Sequence, residues 1–236
     1  MPRTKPILFS GPMIRALLDG RKTQTRRVLK PQPPKDEYGD DYITRLNGPE
    51  WYEPAVVDKY GDEVPGKPIW GVYDELGEWG APVPYMPGDL LWVREKAYYG
   101  PNRIAYAADN VPIGGRDRVE GWGPARSSIH MPRWASRLTL EVTAVRVQRL
   151  QEISIEDARA EGVATEEWDD WRENVTSIAI PEGSYIENER DLFRDLWDSL
   201  NAKRGFGWDD NPWVIAVSFR VHKMNVDQFL AQREVA

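Results

Sequence analysis

Apolar and polar positions recur along this chain in stretches short enough to mark individual elements. Ile7-Leu8-Phe9 is a brief apolar run that predicts a first strand. Ser10-Gly11-Pro12 predicts a helix start, with a hydroxyl N-cap and a proline in the first turn, where its missing N–H costs nothing. Met13, Ile14, Leu17 and Leu18 fall on one helical face, and Gly20 stands where a left-handed C-cap ends the helix. The segment Arg21–Arg27 follows as a polar, basic connection. Past the Pro87-Gly88-Asp89 turn, Leu90–Glu95 reads as a strand, and Arg103–Ala107 as another. Arg137–Val147 alternates apolar and polar residues over a length suited to a half-buried barrel strand. Ser154–Asp157 resembles a capping box that opens a helix over Ile155–Glu161, ended by Gly162. Leu192, Phe193, Leu196, Trp197 and Leu200 form one stripe on a core-facing helix over Asp191–Leu200, and Trp213–Val221 reads as the last strand.

Residues 31–87 differ in character. Prolines and glycines recur among Trp51, Tyr52, Trp70, Tyr73 and Trp79, which have something to pack against and so argue against a flexible linker. This stretch is expected to be an irregular insertion with one or two hairpins, and residues 163–187, acidic and tryptophan-bearing, a second insertion. Several strands interrupted by three short helices, without a βαβ rhythm, predict an α+β fold: a compact single-domain β-barrel decorated by short helices over residues 1–236.

Composition narrows the chemistry. The chain has no cysteine, which removes disulfides, thiolate catalysis and Cys-ligated metal sites and fits a reducing compartment. His130 and His222 are the only histidines, so a His-based metal site or a Ser-His-Asp triad has little to draw on. No metal and no cofactor are expected. No run approaches a membrane span, the N-terminus has no long apolar stretch, and a cytoplasmic protein is expected.

The net charge of −7 is unusual for a nucleic-acid binder. The first 33 residues nevertheless carry +7, from Arg3, Lys5, Arg15, Arg21, Lys22, Arg26, Arg27 and Lys30 against Asp19, which leaves −14 on the rest. A local positive field on an acidic body suits a small anionic or polar ligand, or a short stretch of strand, better than a long duplex. A solvated basic helix end accounts for the same charges.

Gly20–Arg27 is the strongest constellation. A lysine, two threonines and the arginines concentrate donors and a hydroxyl in one turn, without the spacing of a P-loop. Lys22 and Thr25 stand three apart and can face one cleft, where an amine poises a hydroxyl as nucleophile or holds an oxyanion. Surface charges explain the pattern equally well. His130 sits on a loop within reach of a ligand or a proton transfer, or serves as a structural imidazole. Arg133 and Trp134 offer a guanidinium and a ring able to stack on a base, although burial is the commoner fate of a tryptophan.

Leu17–Arg27 resembles the Gly-x-Lys-x-x-x-x-Arg signature of the ASCH family, a branch of the PUA-like barrels. Pro87–Arg94, Leu138–Leu150 and Asp157–Gly162 resemble later family features in the same order, and Ile129–Arg137 and Lys203–Asp209 are similar to a phage and prophage subgroup. The likeness spans residues 6–30 and 86–222. It implies a PUA-like fold and, by analogy with small bacterial ASCH amidohydrolases, removal of the acyl group from N4-acetylcytidine. The implied catalytic residues are Thr25 as nucleophile, Lys22 as the group easing loss of its proton, and Glu161 as acid/base or positioner. Arg21, Thr23, Arg26, Arg27, His130, Arg133 and Trp134 are the expected ligand contacts. A non-catalytic RNA or single-stranded nucleic-acid module, and a phage accessory protein acting through protein contacts, stand beside the enzyme at this stage.

Overall fold

The longest apolar runs of the sequence lie together in one sheet. The computed structural model describes residues 2–37, 41, 43–109, 122–163 and 188–235. Its strands, in chain order, are β1 (Thr4–Leu8), β2 (Gln24–Val28), β3 (Leu46–Tyr52), β4 (Ala55–Val57), β5 (Glu63–Pro65), β6 (Ile69–Asp74), β7 (Gly80–Pro82), β8 (Leu90–Arg94), β9 (Ala97–Tyr99), β10 (Ile104–Tyr106), β11 (Thr139–Arg149) and β12 (Trp213–His222). The helices described are α1 (Gly11–Leu18), α2 (Ile155–Ala160), α3 (Glu189–Asn201) and α4 (Val226–Val235). The chain is thus mixed α+β, mostly strand, with short helices.

The central sheet has the order β1-β8-β11-β12-β2, with β1 parallel to β8 and every other pair antiparallel. Leu91 and Val93 of β8 enter the main core with Ile14 and Leu17 of α1 and Leu192 and Phe193 of α3. Leu90 and Trp92 face the other way and pack on Val226 and Phe229 of α4. Cover on both faces explains why β8 reads as an unbroken apolar run.

Ladders among the described residues do not join the two edges of this sheet, β1 and β2. The polar connection expected over Arg21–Arg27 is instead largely the edge strand β2, paired through Thr25↔Val217 and Arg27↔Ile215. Its far side does not find β1. A side chain spans the gap: Arg27 Nη2 donates to the carbonyl of Leu8 at 3.2 Å. Side-chain bridging in place of a backbone ladder leaves a seam between the two edges, and this seam is where the candidate site lies.

Residues 31–87 are more ordered than expected, forming the three-stranded sheet β3-β6-β7 and the hairpin β4-β5. Val72, Ala81 and Val83 from this stretch join the main core. Of the second expected insertion, Val163 is buried in that core, while residues 164–187 lie outside the described residues.

Candidate functional site

Two helix ends set the site. Gly20, at φ +79°, ends α1 in the left-handed region that a glycine adopts without cost, and Lys22 N then donates to Ala16 O at 3.0 Å. This turn points the Lys22 side chain inward, where it is 1 % exposed. Its Nζ donates to Glu161 Oε2 at 2.8 Å, to Glu161 O at 2.7 Å and to Gln24 O at 2.9 Å, so all three ammonium hydrogens have acceptors. Glu161 occupies the C-cap of α2, and Gly162 follows at φ +85°. A Cβ on Gly162 would stand 2.9 Å from the Cβ atoms of both Ala16 and Lys22, so the closeness of α1 to α2 depends on this glycine. Burial pushes the Lys22 amine below its ordinary pKa, against the pull of the Glu161 charge.

Arg26 completes a buried ionic cluster. Its Nη1 donates to Gln24 Oε1 at 2.6 Å and to Glu161 Oε1 at 3.2 Å, and its Nη2 to Asp157 Oδ2 at 2.7 Å. Asp157 and Glu161 are four apart on α2 and so face the same way, toward β2. Arg146 also donates to Asp157 at 2.8 Å. Partial burial raises the Asp157 pKa, but Arg26, Gln24 and Arg146 outweigh it and hold the carboxyl below its ordinary value. Two buried cations thus face two carboxylates, which limits the desolvation cost of each. Thr25, 1 % exposed, accepts a hydrogen bond from Arg27 Nη1 at 2.8 Å through its Oγ1. Its own hydroxyl proton has no acceptor among the described residues.

Lys22, Thr25, Arg26, Arg27 and Glu161 line a cleft of about 950 Å³, at the upper end of the range for small-molecule sites. Its floor holds Lys22, Thr25, Arg26 and Glu161, and Phe9 and Trp197 stand in its walls. The exposed Lys30, Pro84, Leu200 and Arg204 mark its mouth. Ser10–Met13 at the start of α1 borders it too.

Of the expected residues, Lys22, Thr25, Glu161, Arg26 and Arg27 come together here, and the others do not. Arg21 pairs with Asp19 at 3.0 Å and donates to Gly162 O, bracing the turn outside the cleft. Thr23 is exposed, and its backbone bridges Ala160 O and Phe219 N. His130 is exposed and outside the lining, although Ser128 belongs to it. Arg133 is engaged by Asp227 and by Thr4 Oγ1, binding the Arg133–Ala135 turn to α4 and β1. Trp134 is 66 % exposed, edge-on to Tyr99, and also away from the cleft. Reasoning from sequence missed Gln24, Asp157, Lys30 and Arg204. The i, i+4 carboxylates of α2 were the available signal for Asp157.

No protein-family model, curated protein or solved structure matches this chain. Among the described residues no helix is long and apolar enough to cross a membrane, and no group of three or more His, Asp or Glu is placed to hold a metal ion.

Proposed function

We propose that this chain is an ASCH-type protein, its sheet a PUA-like barrel with an open seam, that binds a nucleoside-like ligand in the seam and hydrolyses the amide of an N4-acylated cytidine. The observation that carries this reading is the meeting of Lys22, Thr25 and Glu161 in one cleft, the three positions singled out by the resemblance. Thr25 Oγ1 adds to the acyl carbon, and its proton passes to the Lys22–Glu161 pair. Collapse of the adduct breaks the bond to N4, which takes that proton and leaves as the cytosine amine. Water then attacks the threonyl ester, releasing the carboxylic acid and restoring the hydroxyl.

Arg27, donating to Oγ1 at 2.8 Å, stabilises negative charge as it grows on that oxygen. Lys22 meanwhile spends its three hydrogens on Gln24 O and Glu161. The proton path from Thr25 therefore opens when the Gln24 contact is released and Lys22, passing one of its protons to Glu161, takes the hydroxyl proton in its place. Chromatographic detection of cytidine released from N4-acetylcytidine tests the reading. The intact protein is expected to turn over, and Thr25→Ala to lose at least about 10³-fold in kcat. Undiminished turnover by Thr25→Ala would remove the nucleophile, and no turnover with any N4-acylcytidine would leave a binding module in its place.

A further inference from the structure

We infer that the cleft is built for a ligand carrying phosphate, a nucleoside monophosphate in preference to the uncharged nucleoside. This rests on the nucleoside reading above and specifies the charged group the ligand brings. Among the described residues five cations line the cleft, Lys22, Arg26, Arg27, Lys30 and Arg204, with Glu161 as the acid of that lining. The two on the floor are neutralised by Glu161 and Asp157. The other three have no carboxylate partner among the described residues. Arg27 donates only to neutral oxygens, those of Thr25, Arg26 and Leu8. Arg204 donates to the amide oxygen of Asn201, and Lys30 lies 5.8 Å from the Phe206 ring.

This is an unusual arrangement on a chain of net charge −7, where carboxylates are plentiful. Elsewhere they are used: Arg133, Arg137 and Arg159 all hold carboxylates within 3.0 Å. Three uncompensated cations in one concave site set up a positive potential that an anion relieves, and the concave shape strengthens it. Guanidinium and ammonium groups together suit a phosphate, the first by its paired donors and the second as a compact charge. Pro84, Tyr85 and Leu200 supply apolar surface in the same cleft for a ring or ribose. The acidic remainder of the chain disfavours a longer strand, whose further phosphates would leave the cleft and meet it.

Calorimetric titration of the full chain at low ionic strength tests this, with cytidine, cytidine 5′-monophosphate, ribose 5-phosphate and a tricytidylate carrying internal phosphates only. The monophosphate is expected to bind at least about tenfold more tightly than cytidine and more tightly than ribose 5-phosphate. The Lys30→Gln/Arg204→Gln protein, both changes being at exposed positions, is expected to bring the ratio of the two affinities toward one while keeping its circular dichroism spectrum. Equal binding of cytidine and its monophosphate overturns the phosphate inference and leaves the nucleoside cleft standing. Tighter binding of the tricytidylate overturns it in favour of a strand. Ribose 5-phosphate binding as tightly as the nucleotide, or no binding by any of the four, removes the nucleoside reading and this one with it.

Discussion

A lysine 1 % exposed keeps a charge only because acceptors surround it, and Lys22 has three. Removing one partner of such a pair costs more than the pair itself contributes, because the other charge stays buried. Lys22→Met is therefore expected to destabilise the protein by about 3–5 kcal/mol in urea denaturation. Lys22→Met/Glu161→Gln should recover part of that loss, and strictly additive single effects would show that the two side chains do not act as a unit. The pH dependence follows from the same burial. With the folded amine below its ordinary value of 10.5, the unfolded chain binds this proton more tightly. The contribution of Lys22 to stability is then constant below the folded value and rises with pH between it and 10.5. Sequence spacing made Lys22 and Thr25 legible as neighbours, whereas Glu161 came only through the family resemblance. A pair separated by 139 positions has no local signature.

At the scale of elements, the sequence is legible wherever burial is apolar and periodic. The stripe of α1, the runs of β8 and β12 and the apolar face of α3 all fall within a few residues of their expected places, except that Leu200, expected in the stripe of α3, is exposed at the cleft mouth. Strand β2 was not legible, because Gln24, Thr25 and Arg26 are buried by hydrogen bonds and ion pairs and look like a solvated connection. Helix α4 went unseen for a related reason: Val226 and Phe229 anchor it on Leu90 and Trp92, too little apolar surface to make a stripe. Glycines closed the helices that were legible, and they differ in what surrounds them. Gly205 and Gly162 both hold positive φ, but a Cβ meets nothing within 4 Å at Gly205 and two carbon atoms at 2.9 Å at Gly162. Gly205→Ala should lose about 1–2 kcal/mol from backbone strain alone. Gly162→Ala should lose more, and should also weaken ligand binding by displacing Lys22. Equal losses in parallel thermal melts would mean that α1 and α2 can separate freely, contrary to a close packing that fixes the cleft floor.

Across the whole molecule, the basic N-terminal run meets the acidic remainder in three dimensions, which charge counting along the chain does not show. Arg3 pairs with Asp89, Lys22 with Glu161 and Arg26 with Asp157, each bond joining the first 33 residues to a distant part of the chain. Part of the field expected from +7 is thus spent in these pairs, and Arg27 and Lys30 remain of it at the cleft. The fold consequently depends on carboxylates staying ionised. Asp157 is the clearest case: it receives Arg26, Gln24 and Arg146 together, and these hold its pKa below the ordinary 3.8 despite partial burial. A carboxyl depressed on folding contributes stability that is complete above its unfolded value and disappears as pH falls through the folded one. The intact protein should therefore lose stability as the solution is taken below about pH 4. Asp157→Asn should lower the melting temperature at pH 7, where the charge-assisted bonds to Arg26 and Arg146 are lost and Arg26 stays buried with Glu161 as its remaining carboxylate. It should also show a shallower decline in acid, because one of the groups that binds a proton on unfolding is gone. Melting curves of the two proteins from pH 7 down to pH 3 check this. Parallel declines would mean that Asp157 titrates alike in the folded and unfolded chains and that the tie between α2 and β2 does not rest on its charge.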